Sequence, residues 1–214
     1  MTEQKLADLR RDFSRESLSR SSVDNDPFAQ FSKWMTAALA SEIVDATAMV
    51  LSTVSAECRP SSRVVLLKGF DETGLAFYTN YQSKKGRDLA ENPYAALHFF
   101  WPELERQVNI SGVAAKLSTE ESEAYFQSRP AESRIGAWAS HQSEVLASRE
   151  VLETRVAELR KKFAGKDIPL PPFWGGYRLA PEWFEFWQGR PNRLHDRICY
   201  QLSGGQWQIS RLSP

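Results

Sequence analysis

Apolar residues near the start of the chain recur first at helical and then at strand spacing. Asp26-Pro27 resembles an N-cap followed by proline at the first helical position. The apolar positions that follow at helical spacing are Phe28, Phe31, Met35, Ala38 and Leu39. From Thr47 three strand-like segments follow, AMVLSTVS, SSRVVLLKGF and LAFYTN, separated by the turn-forming segments AECRP and DETG. We therefore expect one helix that covers a sheet, and three consecutive strands in an antiparallel meander.

The rest of the chain predicts further helices and strands. A short helix is expected between Ser83 and Pro93, and the segments YAALHFFW and RQVNISGVAAKLS are typical of two more strands. Ser118 and Glu121 have capping-box spacing, which predicts a helix to about Gln127. A second helix, ending near Gly165, is marked by Val145, Leu152, Val156, Leu159 and Phe163. After the structure-breaking segment PLPPFWGG we expect two or three final strands, with a hairpin turn at residues 203–206. The pattern favours a mainly β fold with flanking helices, of the α+β class, built on a curved sheet or barrel.

The composition fits a packed globular protein. Of the 214 residues, 42% are hydrophobic and 12% aromatic, which is enough for a core in one sizeable domain or two small ones. Residues 1–25 are charged and rich in serine, and we expect them to form a mobile N-terminal arm before a single domain over residues 26–214. No apolar segment has signal-peptide or membrane-spanning length, and the two cysteines, Cys58 and Cys199, favour a reducing compartment. We expect a cytoplasmic protein without membrane contact.

The charge balance limits the class of ligand. The 27 Lys and Arg residues match 27 Asp and Glu residues, which argues against a general nucleic-acid binder. The chain lacks a Gly-rich dinucleotide fingerprint, a Walker loop and paired histidines at metal-ligand spacing. We therefore expect no metal site, and a bound phosphate would be held largely by side chains.

Two segments carry cations close to expected strand or helix ends. In SKKGR, Lys84 and Lys85 occupy the first turn of an expected helix, where the helix dipole disfavours cations unless an anion binds. In RVVLLK, Arg63 and Lys68 bound an apolar strand whose burial would bring both cations close to the core. Strict alternation places these two cations on opposite faces, so for both to contact one ligand the strand must bend or the ligand must wrap around the strand end. Solvent-exposed lysines remain the alternative for SKKGR.

Three further segments supply candidate donors. Tyr125 and Arg129 share a face of the helix that capping predicts, with Ser133 just beyond Pro130, and together they could bind a phosphate. Gln142 and Ser143 stand where the second helix is expected to begin, a second possible point for recognition of an anion or amide, with Ser143 also suited to be its N-cap. A surface hydrogen-bond cluster is the alternative for the first group.

The segment WQGRPNRLHDR, residues 187–197, combines an aromatic residue with regularly spaced cations. Arg193, His195 and Arg197 stand at every second position, so in an extended strand they would share one face, with Leu194 and Asp196 pointing away. Such a surface suits a planar anionic ligand. Trp187 could form a wall beside it, and Gln107 could contact the edge of a heterocycle. The alternative for the three charged positions is a solvated strand face, and the alternative for Trp187 and Gln107 is an ordinary structural place in the sheet.

Taken in order, these motifs closely resemble those of the pyridoxine/pyridoxamine 5′-phosphate oxidases. The matching segments are RVVLLKGFD, FYTNYQSKKGRDLAENP, FFWPELERQV, YFQSRP, GAWASHQS, PPFWGGYRLAPEWFEFWQGRPNRLHDR and a closing RLSP. They span almost the whole chain, and the N-terminal LRRDF is similar to a substrate-covering LRREY pattern of the family. The resemblance implies a split β-barrel homodimer with flavin mononucleotide (FMN) at the subunit interface.

The resemblance also implies an activity and roles for individual residues. The expected reaction oxidises pyridoxine or pyridoxamine 5′-phosphate with dioxygen to pyridoxal 5′-phosphate, releasing hydrogen peroxide, and ammonia from the amine. The residues implied to bind FMN are Arg63, Val64, Val65, Leu66, Leu67, Lys68, Tyr78, Thr79, Lys84, Lys85, Gln107, Gln142, Ser143, Trp187 and Arg197. Those implied to bind substrate are Arg10, Arg11, Asp12, Phe13, Lys68, Tyr125, Arg129, Ser133, Arg193, Leu194 and His195. Arg193 and His195 are the implied catalytic residues.

Two departures from the common family pattern and two alternative functions stand beside this interpretation. Lys84 replaces a frequent arginine and keeps the charge without bidentate geometry, and Phe13 replaces a frequent tyrosine and removes a hydroxyl. One alternative is a related split-barrel FMN oxidase that acts on another aromatic substrate. The other is a non-catalytic carrier of flavin or pyridoxal phosphate.

Overall fold

The fold is mainly β with five α-helices among residues 12–214, the part of the chain that the computed structural model describes. The helices are α1 (Pro27–Leu39), α2 (Lys84–Glu91), α3 (Thr119–Ser128), α4 (Ala131–Ala139) and α5 (Arg149–Lys162). The strands are β1 (Ala48–Val54), β2 (Pro60–Leu66), β3 (Gly69–Asp71), β4 (Gly74–Asn80), β5 (Tyr94–Trp101), β6 (Arg106–Lys116), β7 (Trp174–Gln188), β8 (Asp196–Ser203) and β9 (Gln206–Leu212). They form one sheet in the order β2-β1-β5-β6-β7-β4-β3, with β8 paired to β7 and β9 to β8.

The chain divides into two compact units, each with its own buried aromatic residues. Among the described residues, the first unit comprises residues 12–49, Leu97–Ile110 and Glu182–Pro214, and the second comprises Val50–Ala96 and Ser111–Pro181. In the first unit the largest fully buried side chains include Phe31, Phe99, Trp101, Phe184, Phe186 and Tyr200. In the second, Phe126, Ile135, Ile168 and Trp174 form a buried cluster. The prediction of a single domain over residues 26–214 stays a prediction.

Local hydrogen bonds explain where three predicted helices begin. Asp26 accepts a hydrogen bond from the Phe28 amide at 3.1 Å, with Pro27 as the first residue of α1. The Ser83 side chain accepts from the Gly86 amide at the start of α2. Ser118 and Glu121 form the expected reciprocal capping box of α3. The hairpin turn at Gly204 and Gly205, both with positive φ, is likewise confirmed.

The three-strand meander was wrong. The segment 61–70 is two strands, because β2 ends at Leu66 and β3 begins at Gly69, and the strand order places β2 and β3 at opposite ends. Burial of this apolar stretch was also wrong, since Val64 is 65% and Leu66 39% exposed and only Leu67 is buried. The side chains of β2 alternate between exposed and partly exposed positions, so this strand has no buried face.

The helices after Pro130 also differ from expectation. Helix α4 was not predicted, and α5 begins at Arg149 and not near Gln142. Val145, included in the apolar pattern of that helix, precedes it and is fully exposed. Ser143 is consequently not a helix N-cap, and Ser148 occupies that position.

Part of the predicted N-terminal arm is attached to the first unit. The Ser14 and Arg15 amides donate to Glu105 Oε2, each at 3.0 Å, and the Leu18 amide donates to Asp196 Oδ2 at 3.0 Å. Phe13 packs edge-on against Trp187 with ring centroids 5.7 Å apart. Arg10 and Arg11 lie outside the described residues, whereas Asp12 is exposed and Phe13 half-buried. Over residues 12–214, no helix is both long and apolar enough to cross a membrane.

Candidate functional site

The second unit contains a cavity of about 1100 Å³ that brings most of the predicted FMN and phosphate ligands together. Its walls include Arg63, Val64, Val65, Leu66, Lys68, Tyr78, Thr79, Lys84, Lys85, Tyr125, Arg129, Ser133, Gln142 and Ser143. Arg63 and Lys68 line the same cavity because Lys68 follows the end of β2, where its amide donates to Ala76 O at 2.9 Å. Both cations therefore line one cavity, with Lys68 beyond the strand to which the alternation applies. Leu67, also predicted to contact FMN, is buried and is not part of the lining.

One group of cations in this cavity is arranged around Asp88, a buried carboxylate on α2. Asp88 Oδ2 accepts hydrogen bonds from Thr53 Oγ1 at 2.6 Å and Ser61 Oγ at 3.0 Å. Lys84 Nζ lies 3.2 Å and Arg63 Nη2 3.9 Å from the same oxygen. Burial raises the pKa of Asp88, but these hydrogen bonds outweigh burial and bring the pKa below its ordinary value. Asp88 is therefore charged at neutral pH and fixes two predicted phosphate ligands.

Lys85 lies beside this group with its ammonium buried among neutral acceptors. Lys85 Nζ donates to Thr79 Oγ1 at 3.1 Å, Ser83 Oγ at 3.3 Å and Gln142 Oε1 at 3.0 Å. Burial, reinforced by the charge of Arg63, lowers the pKa of Lys85 to about 8. With no carboxylate among these contacts, the ammonium presents a positive charge at the cavity wall that an anion can use.

Gln142 and Ser143 line the cavity from a loop and not from a helix terminus. Besides Lys85, Gln142 Oε1 accepts from Thr79 Oγ1 at 3.2 Å. Ser143 has a positive φ of 72° within the segment between α4 and α5. Both residues line one cavity with Lys85, and neither stands at the start of the helix where it was expected.

A second cation group of the cavity lies on an aromatic surface. The rings of Tyr78 and Tyr125 stack with centroids 3.8 Å apart and an interplanar angle of 18°. Trp174 lies parallel to both, at 5.7 Å from Tyr78 and 6.2 Å from Tyr125. The Arg129 guanidinium carbon is 4.7 Å from the Trp174 ring centroid. Arg129 Nη1 is buried and has no hydrogen-bond partner among the described residues.

The first unit contains the remaining predicted residues, but not on a continuous strand. Residues 191–193 form a 3-10 turn in which Asn192 and Arg193 have positive φ, and β8 begins only at Asp196. The prediction that Arg193, His195 and Arg197 share a strand face was therefore wrong. Pro191 and the left-handed residues interrupt the extended chain. Arg193 and Leu194 are exposed at the end of this turn.

His195 is held in one orientation beside Trp187. Its ring centroid lies 4.5 Å from that of Trp187 and 5.7 Å from that of Phe13. The Arg190 amide donates to His195 Nδ1 at 3.1 Å, so the neutral ring carries its proton on Nε2. Burial, and after it the Arg193 guanidinium, lowers the pKa of His195, which favours this neutral form at neutral pH.

Arg197 and Gln107 occupy sheet positions of the first unit. Arg197 pairs in register with Trp187, and its guanidinium donates to the buried Glu185 carboxylate and to Ser213 O. The positive charge of Arg197 is thus largely balanced by Glu185. Gln107 lies half-buried on β6.

Sequence inspection missed Asp88, Trp174 and Glu185. Asp88 stands four residues after Lys84 on one helix, a spacing that could have predicted the ion pair. Glu185 and Arg197 belong to different strands, and their contact depends on the β7–β8 register. Trp174 was assigned to a structure-breaking segment, although it is the first residue of β7.

Comparison with known proteins adds the family. Residues 35–163 match the family model for pyridoxamine 5′-phosphate oxidase, and residues 174–214 match the pyridoxine 5′-phosphate oxidase C-terminal dimerisation region. The chain belongs to the pyridoxamine 5′-phosphate oxidase family. A pyridoxine/pyridoxamine 5′-phosphate oxidase from Nostoc punctiforme is 56% identical to this family member over 98% of both chains.

Two solved structures place the fold within the same group. PhzG from Burkholderia lata 383, in complex with tetrahydrophenazine-1-carboxylic acid, is 33% identical and superposes with a TM-score of 0.87 over 93% of this chain and 98% of its own. A pyridoxamine 5′-phosphate oxidase-related, FMN-binding protein from Nostoc punctiforme superposes with a TM-score of 0.70 at 18% identity, covering 90% of this chain and 100% of its own. The predicted fold class, a mainly β split barrel with flanking helices, is confirmed.

Proposed function

We propose that this protein oxidises pyridoxine 5′-phosphate and pyridoxamine 5′-phosphate to pyridoxal 5′-phosphate, with FMN as cofactor and dioxygen as electron acceptor. The observation that carries the proposal is a single cavity with two differently built cation groups. Arg63, Lys84 and Lys85 form one, Arg129 on the Trp174 ring belongs to the other, and Lys68 lines the same cavity. Two groups fit a reaction in which both the cofactor and the substrate carry a phosphate.

The residues of the cavity fit FMN by their chemistry. Lys85 is a buried ammonium without a carboxylate among its contacts, and Ser61, Ser62, Thr79 and Ser143 add hydroxyls to the lining. These donors suit a phosphate and a polyhydroxyl chain. When bound, FMN supplies the two-electron acceptor for the substrate carbon that bears the alcohol or amine, and it is regenerated by dioxygen.

Residues of the second unit would bind and orient the two anions. In this proposal Arg63, Lys84 and Lys85 hold the cofactor phosphate, with Gln142 fixing the Lys85 ammonium. Lys68, Arg129 and the hydroxyls of Tyr125 and Ser133 hold the substrate phosphate. Holding the substrate by a group that does not react fixes its position without changing the chemistry of the reacting carbon.

Residues of the first unit would act on the substrate ring. We assign Arg193 and His195 the catalytic positions that the family resemblance implies, and Trp187, Arg197 and Gln107 contacts with the flavin. The neutral His195 can donate a hydrogen bond from Nε2, because Nδ1 already accepts from the Arg190 amide. Arg193 is exposed and supplies a cation that suits an electron-rich oxygen or a phosphate.

The match of residues 174–214 to a dimerisation region supports a homodimer with FMN at the interface. Both cysteines are free thiols, Cys58 exposed and Cys199 buried, which fits the cytoplasmic location that we propose. Sedimentation of the FMN-loaded protein should give twice the mass of the chain, and a monomer at micromolar concentration would contradict the dimer.

Oxidation of another aromatic substrate is the second candidate, favoured by the likeness to PhzG. Arg129 Nη1 argues for a phosphorylated substrate, because it is buried without a hydrogen-bond partner and a phosphate would supply one. Formation of pyridoxal phosphate and hydrogen peroxide is to be measured with pyridoxine phosphate, pyridoxamine phosphate and unphosphorylated pyridoxine. We expect both phosphate esters to be turned over with a far lower KM than pyridoxine. Equal use of pyridoxine would favour the second candidate.

A further inference from the structure

Arg129 differs from Arg63 and Arg178, two other half-buried arginines of the second unit, in having no acidic partner within residues 12–214. Arg63 lies near Asp88, and Arg178 binds the carboxylates of Asp71 and Glu121. Arg129 forms no ion pair within residues 12–214, and its Nη1 atom is buried without a hydrogen bond. A guanidinium in such a place must be oriented by something other than a carboxylate.

The indole of Trp174 is the closer of two aromatic rings that face this guanidinium. The guanidinium carbon lies 4.7 Å from the Trp174 ring centroid and 5.8 Å from that of Phe126. Trp174 is itself fixed, since it is 8% exposed and packs in the buried cluster with Phe126, Ile135 and Ile168. The parallel rings of Tyr78 and Tyr125 cover it further.

An aromatic face has an advantage over a carboxylate at this position. A carboxylate would neutralise the guanidinium and compete with a bound phosphate for its N–H donors. The face of an indole attracts the cation and restricts its rotation, and it leaves the guanidinium N–H groups, which lie in the guanidinium plane, free to donate. Asp88, a carboxylate, orients the cations proposed to bind the cofactor phosphate, and a cofactor stays bound through many turnovers. A substrate phosphate must bind and leave in each turnover, which favours an aromatic face at Arg129.

We propose that Trp174 is a positioning residue that holds Arg129 ready for the substrate phosphate and so contributes to selection of phosphorylated substrates. The inference rests on the proposed function. It adds a residue that neither the sequence motifs nor the family resemblance assigned.

The test compares wild-type protein with Trp174→Leu and Trp174→Phe, using pyridoxine phosphate and unphosphorylated pyridoxine as substrates. Trp174→Leu removes the aromatic face, and we expect the KM for pyridoxine phosphate to rise about tenfold. The kcat for that substrate and the kcat/KM for pyridoxine should stay close to wild type, because neither depends on the phosphate contact. Trp174→Phe keeps a smaller aromatic face and should recover most of the lost affinity.

Two controls separate orientation of Arg129 from loss of core packing. Ile168→Ala leaves a gap in the same buried cluster and should lower the melting temperature without raising the KM for pyridoxine phosphate selectively. In an Arg129→Met background, adding Trp174→Leu should raise that KM no further, because the group that Trp174 orients is gone.

Three outcomes would overturn the inference. They are an unchanged KM in Trp174→Leu, an equal loss with pyridoxine and its phosphate, or additive effects in the double variant. A wild-type protein that does not oxidise pyridoxine phosphate would instead contradict the proposed function. If Trp174→Leu does not fold, Trp174→Phe in the wild-type and Arg129→Met backgrounds gives the same comparison, with an expected rise in KM of about twofold to threefold.

Discussion

Single side chains in the cavity are controlled by the groups that surround their charges. Lys85 and Asp88 lie on the same short helix, yet burial and hydrogen bonding act on them differently. Burial dominates at Lys85 and disfavours the ammonium, whereas donors from three residues outweigh burial at Asp88 and favour the carboxylate. Each shift leads to a separate prediction.

FMN binding to the apoprotein should weaken as pH rises through the pKa of Lys85. That pKa lies at about 8, so the ammonium is charged below this pH and loses its charge above it. The FMN phosphate is already a dianion at these pH values, with its second pKa near about 6. Quenching of flavin fluorescence should show a dissociation constant about tenfold higher at pH 9.5 than at pH 7.5.

Lys85→Arg is the matched control for this titration. A guanidinium keeps its charge over the whole range, so the dissociation constant of this variant should change little with pH. The same pH dependence in both proteins would mean that another group is responsible.

Asp88→Asn should destabilise the apoprotein and weaken FMN binding. The substitution removes the charge that Lys84 and Arg63 share while keeping the size of the side chain. Because the pKa of Asp88 is below its ordinary value in the folded state, its contribution is present above about pH 4 and is lost as pH falls through the folded pKa. Urea unfolding at pH 7 should show a loss of about 2 kcal/mol in the free energy of unfolding. Equal stability of the two proteins at pH 7 would show that Asp88 does not fix this group.

At the scale of elements, local signals predicted helix starts better than they predicted strand continuity. Asp26-Pro27, Ser83 and Ser118 act through hydrogen bonds to amides two or three residues away, so the sequence contains the whole interaction. The break after Leu66 and the turn at residues 191–193 depend on sheet pairing and on left-handed backbone conformations. An alternating pattern of side chains carries neither kind of information.

The start of α5 was also predicted wrongly from the spacing of apolar residues. Val145 fitted the helical spacing of α5, but α5 begins four residues later and Val145 is fully exposed. Periodicity identified the helix, and the absence of a side-chain cap at Ser148 left its start without a local signal.

Gly86 is the element-scale test, because α2 packs closely on the preceding loop there. A Cβ at this position would lie 2.2 Å from the Tyr81 carbonyl oxygen, so Gly86→Ala must displace α2 or residue 81. We expect the free energy of unfolding to fall by about 2 to 3 kcal/mol, and FMN binding to weaken because Lys84 and Lys85 move with the helix.

Gly136→Ala provides the comparison on α4. A Cβ there meets nothing within 4 Å, so alanine should leave stability unchanged or raise it by up to about 1 kcal/mol. Thermal unfolding of both variants decides the point. A Gly86→Ala protein as stable as Gly136→Ala would contradict the close packing of α2.

At the scale of the whole molecule, the order of motifs predicted the family that no single motif could. Equal numbers of acidic and basic residues gave no sign of an anion site, because the cations concentrate locally in one cavity of the second unit. The residues that line it come from segments as far apart as Arg63 and Trp174, and their grouping depends on the fold. The sequence therefore predicted many of the residues that line this cavity and missed side chains that contact them, such as Asp88 and Trp174.

In the proposed reaction, phosphorylated pyridoxine reduces FMN bound to this protein. The decisive measurement is an anaerobic titration of the FMN-loaded protein with pyridoxine phosphate, pyridoxamine phosphate and pyridoxine, followed by the flavin absorbance. We predict that each phosphate ester bleaches the flavin absorbance at low concentration, that pyridoxine does so poorly, and that admitting dioxygen restores the colour. A bound flavin that neither phosphate ester reduces would contradict the account.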